Sequence, residues 1–121
     1  MTTHSVFIVD DDRLTRESLC EIVAELGFDV ADADCGLTAL DRLRARPSEI
    51  VVSDVDMPDI SGFELLARLH ADRITIPMVL MSARADSALS KAAADAGAEQ
   101  LFGKPVPVAP FTELLLRLAR G

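Results

Sequence analysis

Acidic residues follow two separate hydrophobic runs in this chain of 121 residues. An aspartate triplet at 10–12 comes directly after the first run, and Asp54 and Asp56 follow the second. Carboxylates gathered in one place repel one another unless a cation lies between them. Lys104, one of only two lysines, follows a third apolar stretch. Carboxylates, a divalent cation and a lysine together suit phosphate chemistry, so these residues predict a metal site that handles a phosphoryl group.

The composition predicts one cytoplasmic domain spanning residues 1–121. Hydrophobic residues make up 50% of the chain, which is enough for a folded core. The net charge of −8 argues against direct binding to nucleic acid. No apolar stretch approaches the roughly 18 residues of a membrane span, so we expect no membrane contact. Cys20 and Cys35 lack the spacing of metal ligands or redox motifs and are interpreted as reduced thiols.

Five short runs predict β-strands. They are Val6–Val9, Asp29–Ala33, Ile50–Ser53, Met78–Ser82 and Gln100–Gly103. The first, third and fourth are nearly continuous in apolar residues, as expected for parallel strands covered on both faces. The second alternates polar and apolar residues, which favours a place at or near an edge of the sheet.

Apolar residues at helical spacing follow each strand. The expected core-facing sets are Leu19, Ile22, Val23 and Leu26; Leu37, Leu40 and Leu43; Phe63, Leu65, Leu66 and Leu69; Leu89, Ala92, Ala93 and Ala96; and Phe111, Leu114, Leu115 and Leu118. The first helix is predicted to run from Arg13 to Leu26, where Gly27 ends it. The fourth set consists mostly of alanines with Leu89 as its one large anchor, so this helix should be held weakly.

Five β–α units predict a doubly wound α/β domain. Two arrangements suit a chain this short: the flavodoxin-like (βα)5 fold with strand order 2-1-3-4-5, and a truncated dinucleotide-binding fold. The latter requires a G-x-G-x-x-G motif after the first strand, where this chain has the aspartate triplet. The flavodoxin-like order is therefore favoured.

In that order the first and third strands are neighbours, so Asp10, Asp11, Asp54 and Asp56 should converge at the carboxyl edge of the sheet. Ser82 ends the fourth strand and Lys104 follows the fifth, at the same edge. Because Asp54 follows the central strand, it is the best candidate for a nucleophile that attacks phosphorus and forms an acyl phosphate.

Four motifs in order now resemble a known family. They are Ile8-Val9-Asp10-Asp11-Asp12, Asp54-Val55-Asp56-Met57-Pro58 with Ser61-Gly62, Met81-Ser82-Ala83, and Lys104-Pro105. Over essentially its whole length the chain resembles the receiver domain of two-component response regulators, the phosphoacceptor partner of sensor histidine kinases.

The resemblance implies a Mg²⁺ site. Asp11 is implied as a direct ligand and Asp10 as a ligand through water. Asp54 would bind the ion as well as accept the phosphoryl group. Asp56 would contribute its backbone carbonyl.

The resemblance also implies how the phosphoryl group is held. Ser82 would bind one of its oxygens, and Lys104 would pair with Asp54 or its phosphate. In this family the peptide between the lysine and the following proline is usually cis, and Lys104-Pro105 provides that pair.

The function implied is a phosphorylation switch rather than a conventional enzyme, because such a domain catalyses only its own phosphorylation and dephosphorylation. The implied partners are a sensor histidine kinase or phosphotransfer protein, an output domain or downstream protein, and a second copy in a homodimer formed on phosphorylation. The signal would pass through the face built from the fourth helix, fifth strand and fifth helix.

Two sites differ from the family pattern or extend it. Leu101 stands where the family usually has Phe or Tyr, three positions before the lysine, and Phe102 should face the opposite side of the sheet. Asp56 and Arg84 lie two residues past Asp54 and Ser82 and carry opposite charges. Our hypothesis is that they pair across the mouth of the site and slow hydrolysis.

Two further acids are expected to have local structural roles. Asp12 should complement the dipole at the start of the first helix, and Asp59 should belong to a turn before Ser61-Gly62.

The residues leave two alternative functions to consider, a hydrolase and an inert docking domain. Asp54-Val55-Asp56 resembles the D-x-D nucleophile motif of haloacid-dehalogenase-type hydrolases, but that family places the motif on its first strand. An inert pseudo-receiver that only docks a protein would not need all of these site residues.

Overall fold

The computed structural model describes residues 4–120, in which five strands and five helices alternate. The elements are β1 Ser5–Val9, α1 Arg13–Glu25, β2 Asp29–Ala33, α2 Gly36–Ala45, β3 Ile50–Asp54, α3 Gly62–Ala71, β4 Met78–Ser82, α4 Ser87–Ala96, β5 Gln100–Gly103 and α5 Val108–Arg120. All strand pairs are parallel and the order is β2-β1-β3-β4-β5. The predicted flavodoxin-like order is confirmed, and so is the edge position of β2.

The sheet separates two cores because successive strand residues point to opposite faces. In β1, Val6 and Ile8 pack with residues of α1 and α5, whereas Phe7 and Val9 pack with residues of α2 and α3. Both faces of β1, β3 and β4 are covered, which explains why their sequences are apolar almost without interruption.

Short polar residues begin three of the helices. The carboxylate of Asp12 accepts a hydrogen bond from the Thr15 amide at 3.0 Å, and the Thr15 hydroxyl and amide lower the pKa of Asp12. Ser61 and Asp86 cap α3 and α4 in the same way. The predicted helix-start role of Asp12 is therefore confirmed.

Two expected core residues, Leu37 and Ala92, lie at the surface instead. Leu37 is 46% exposed, because α2 turns Ala39, Leu40 and Leu43 toward the sheet. In α4 only Ala93 is buried, and Leu89 is half-buried outside the core clusters. The prediction that Leu89 anchors α4 is wrong, and the helix is held even more weakly than its composition suggests.

No helix among residues 4–120 combines the length and apolar character that a membrane crossing requires.

Gly62 begins α3 directly against the strand that carries Asp54. A Cβ atom at this position would lie 2.6 Å from the Asp54 carbonyl oxygen and 2.9 Å from a Leu80 methyl carbon. We expect Gly62→Ala to lower the free energy of unfolding by about 1–3 kcal/mol, because the backbone must move to make room. Chemical denaturation measures this loss. Gly103→Ala is the control, since its Cβ would meet only Ala85 at an ordinary 3.5 Å; equal losses in the two variants would contradict the packing argument.

Candidate functional site

Three charged side chains meet at the carboxyl edge of the sheet. Lys104 Nζ donates hydrogen bonds to Asp10 Oδ2 at 2.8 Å and to Asp54 Oδ2 at 3.2 Å. Asp10 is completely buried and Asp54 is 6% exposed. Strands β1 and β3 are adjacent and end beside each other, whereas β5 lies two positions from β3 and three from β1. The long side chain of Lys104 spans this distance and reaches both acids.

Burial and charge act against each other in this group. Desolvation raises the pKa of Asp54, Lys104 lowers it and Asp10 raises it, and the net effect is a pKa above the usual range. For Lys104, desolvation lowers the pKa, but its bonds to Asp10 and Asp54 outweigh that effect and raise it. The lysine is therefore charged at neutral pH, and it offsets the repulsion between the two buried carboxylates.

Asp11 completes an oxygen-rich cluster. Asp10, Asp11 and Asp54 each place a carboxylate oxygen within 4.8 Å of the others. Both oxygens of Asp10 already accept hydrogen bonds, Oδ1 from the Asp12 amide at 2.9 Å and Oδ2 from Lys104. Asp11 is exposed. Hard oxygen donors of this kind fit Mg²⁺, which keeps several waters and needs few carboxylates.

Ser82 lies fully buried at the end of β4. Its Oγ accepts a hydrogen bond from the Arg84 amide at 3.0 Å, which leaves the hydroxyl hydrogen to donate to another group. The amide of Lys104 donates to the Ser82 carbonyl at 3.0 Å. This bond joins the ends of β4 and β5, so the backbones that carry Ser82 and Lys104 are held next to each other. The Lys104-Pro105 peptide is cis, as the resemblance implies.

Asp56 and Arg84 do not form the ion pair that we expected; none joins them within residues 4–120. Both are exposed, so water competes for each charge and little is gained by holding two side chains together. The Asp56 amide points at the site, 3.4 Å from Asp54 Oδ1.

Arg16 is a site residue that the sequence reasoning missed. Its guanidinium donates to the backbone carbonyl of Asp10 at 2.8 Å and to Asp32 Oδ2 at 2.9 Å. The side chain is only 15% exposed. Arg16 thus ties α1 to the ends of β1 and β2 and fixes the backbone that carries Asp10. Its position in the first turn of the helix that follows the aspartate triplet was the available signal.

Leu101 and Phe102 lie on opposite faces of β5, as predicted. Leu101 is partly buried against the core that includes α3 and Ala93 of α4. Phe102 packs edge-on against Phe111 of α5, with ring centroids 5.9 Å apart. Phe102 therefore cannot replace an aromatic residue at position 101.

An apolar groove runs beside Lys104 between α1 and the loop that follows β5. It is lined by Leu14, Thr15, Ser18, Leu19, Ile22, Lys104, Pro105 and Val106. Leu14 is 74% exposed at its rim. Exposed apolar residues grouped around a groove, rather than scattered singly, are a feature of protein contact surfaces.

Known proteins share this fold and this sequence pattern. Residues 6–116 match the family model described as the response regulator receiver domain. The chain is 34% identical to Response regulator MprA from Mycobacterium sp. (strain KMS), over 93% of its own length and 48% of the relative's. It is 36% identical to Transcriptional regulatory protein FixJ from Bradyrhizobium diazoefficiens, over 87% of its length and 52% of the relative's.

Solved structures agree. The receiver domain of Francisella response regulator 1452 superposes with a TM-score of 0.87 at 25% identity, covering 97% of this chain and 94% of that one. A CheY-like receiver domain protein from Methanospirillum hungatei superposes with a TM-score of 0.88 at 25% identity, covering 98% and 96%. The chain belongs to the response regulator receiver domain family. It spans about half the length of the curated relatives it matches.

Proposed function

We propose that this chain is a phosphorylation switch in which Asp54 accepts a phosphoryl group from a phosphohistidine. The observation that carries the proposal is the contact of one lysine with two buried carboxylates, Asp10 and Asp54, at the end of the sheet. Burying two carboxylates and an ammonium costs desolvation free energy. Clusters of such perturbed charged groups are typical of functional sites.

In the proposed reaction an Asp54 carboxylate oxygen attacks phosphorus, an O–P bond forms and the N–P bond of phosphohistidine breaks. The departing imidazole takes up a proton. Lys104 favours the ionised form of Asp54 before the attack and offsets phosphoryl charge during it. The Ser82 hydroxyl supplies a donor for a phosphoryl oxygen. Hydrolysis of the acyl phosphate later returns Asp54 to its carboxylate.

Mg²⁺ is the metal proposed for the cluster, where it would neutralise the charge on the phosphoryl oxygens. Asp11 and Asp54 would bind it directly, Asp10 through water, and Asp56 through its backbone carbonyl. Asp11 is exposed, whereas both carboxylate oxygens of Asp10 already accept hydrogen bonds, and this difference supports that division of roles.

The proposed phosphodonor is a sensor histidine kinase or a phosphotransfer protein. The apolar groove beside Lys104 supports this partner, because a donor protein must bring its phosphohistidine to within bonding distance of Asp54. Leu14 at the rim would then be covered by the donor. The proposed location is the cytoplasm.

The output is proposed to pass through α4, β5 and α5. The single buried residue of α4, Ala93, leaves that helix free to shift at small cost when the charge at the site changes. The recipient would be an output domain or a separate downstream protein, or a second copy of the chain in a homodimer. MprA and FixJ are about twice as long as the matched region, which is in keeping with an output domain in those relatives.

Incubation with acetyl phosphate, with and without Mg²⁺, tests the proposal by intact-protein mass. A Mg²⁺-dependent adduct of one phosphoryl group is expected. In a parallel incubation with a phosphate ester, continuous release of phosphate would instead indicate a hydrolase. The absence of an adduct from acetyl phosphate would indicate an inert docking domain.

Mg²⁺ alone should stabilise the fold, because it binds the folded carboxylate cluster and not the unfolded chain. At ten times the dissociation constant the gain is about 1.4 kcal/mol, which corresponds to a rise in Tm of about 5 °C for a domain of this size. Differential scanning calorimetry at constant ionic strength measures it. Asp11→Asn should lose most of the shift; an equal shift in that variant would contradict the assignment of Asp11.

A further inference from the structure

α2 begins without a cap of its own. Cys35 occupies the position before the helix with an extended backbone, but its side chain bonds no amide of the first turn. Its Sγ lies 3.1 Å from the Thr38 hydroxyl instead. The first amides of a helix have no partners within the helix, so those of α2 need an acceptor from elsewhere.

Asp59 supplies that acceptor from the loop that follows Asp54. Its carboxylate accepts hydrogen bonds from the Gly36 amide at 3.0 Å and the Leu37 amide at 2.7 Å. It also accepts the Ile60 amide of its own loop at 2.7 Å. Desolvation opposes ionisation of this exposed carboxyl, but these amides outweigh it and hold the pKa of Asp59 at about 2. The prediction that Asp59 belongs to a turn is incomplete, because the side chain also joins two distant segments.

The backbone at residue 36 is shaped for this contact. A Cβ atom there would overlap the Ile60 side chain and lie 3.2 Å from the Ile60 carbonyl oxygen. Glycine at position 36 thus lets Ile60 pack directly against the start of α2, beside the two amides that Asp59 binds. The loop around Asp59 and Ile60 is therefore both hydrogen-bonded to and packed against the start of α2.

The two ends of the same loop are hydrogen-bonded to each other, directly after β3 and at the start of α3. The Gly62 amide donates to the Val55 carbonyl at 2.9 Å. Residues 55–61 are thus held at two points: Gly62 closes the loop onto Val55, and Asp59 binds the start of α2. Asp56, whose amide faces Asp54 Oδ1, lies between the two attachments.

We propose that Asp59 is a positioning residue for the phosphorylation site: it clamps the loop that carries Asp56 to the start of α2. The loop backbone is then preorganised where the metal cluster needs it. This inference rests on the proposed function for the identity of the ion, Mg²⁺, although the clamp itself does not.

Three variants separate positioning from simple helix capping. Asp59→Ala removes the clamp and the cap together. Asp59→Ala combined with Cys35→Asp restores a local cap on α2 without restoring the clamp. Asp41→Ala, at an exposed acid on α2, controls for the loss of one negative charge. For each, we would measure the Tm, the Mg²⁺ dissociation constant by calorimetry, and amide hydrogen exchange of residues 55–60 without metal.

Asp59→Ala should raise the Mg²⁺ dissociation constant about 10-fold, the range found when residues that orient metal ligands are removed. Its Tm should fall by about 4 °C, as for loss of a helix cap. The double variant should recover the Tm but keep the weaker affinity and the faster exchange. Asp41→Ala should resemble the native chain in all three measurements.

Recovery of native affinity and exchange in the double variant would overturn the inference, since Asp59 would then only cap α2. Native affinity in Asp59→Ala would overturn it as well. If the native chain binds no Mg²⁺, the proposed function fails, and exchange alone decides the clamp: unchanged exchange of residues 55–60 in the double variant rejects it.

Discussion

Asp54→Asn is expected to lower Mg²⁺-dependent phosphorylation by acetyl phosphate at least about 10²-fold, because the amide oxygen is not a nucleophile for phosphorus. Phosphorylated protein is measured by intact mass after a fixed incubation. Asp41→Asn, at an exposed acid of α2, is the matched control and should react like the native chain.

The same variant should remain folded. The fold raises the pKa of Asp54, chiefly by desolvation, so ionisation of this carboxyl at neutral pH costs folding free energy. That cost grows as pH rises from the ordinary carboxyl pKa to the raised one and stays constant above it. An asparagine removes the cost, so Asp54→Asn should be at least as stable as the native chain at pH 7. A large loss of stability would contradict this description of the site.

Lys104→Met should lower the rate of phosphorylation about 10²–10³-fold, the usual effect of removing one group that stabilises developing charge. Methionine keeps the apolar stem and removes the ammonium that contacts Asp10 and Asp54. Mg²⁺ affinity should not fall, because the variant takes a competing cation away from the carboxylates. Single-turnover rates and calorimetry measure the two effects separately.

Lys91→Met is the control for that change. Lys91 is the other lysine of the chain and lies on the surface of α4, paired with Asp95 at 2.9 Å. The Lys91→Met protein should be phosphorylated at the native rate. A Lys104→Met protein that reacts within about threefold of the native rate would be inconsistent with a charge-stabilising role for the lysine.

The sequence was sufficient to predict the strand order and the meeting of Asp10, Asp54 and Lys104 at one edge. Parallel strands with right-handed crossovers permit few strand orders. Once the order is known, the positions of residues at the strand ends follow from it. Periodicity also placed Leu101 and Phe102 on opposite faces correctly, because side chains alternate along a strand.

Contacts made by long or exposed side chains could not be predicted in this way. Asp56 and Arg84 have suitable charges and positions, yet both remain in water, where pairing gains little. The reach of Arg16 to the Asp10 carbonyl depends on how α1 is rotated on the sheet. Asp59 joins a helix 22 and 23 residues away in sequence, a contact that no local motif encodes.

Helix faces were predicted less well than strands. The leucines of α2 repeat every three residues, and the alanines of α4 are small enough for either a buried or an exposed site. Whether such a residue is buried depends on the tilt of the helix, which is a tertiary property. Leu37, Leu89 and Ala92 are the three residues for which this mattered.

Asp54 carries the phosphoryl group in the proposed reaction. Its location can be determined directly by treating the phosphorylated protein with borohydride, which reduces an acyl phosphate, and mapping the altered residue by tandem mass spectrometry. The change should be found at residue 54 and should disappear when Mg²⁺ is left out of the phosphorylation reaction. A change at Asp10 or Asp11 instead, or none in protein that carries the adduct, would contradict the account.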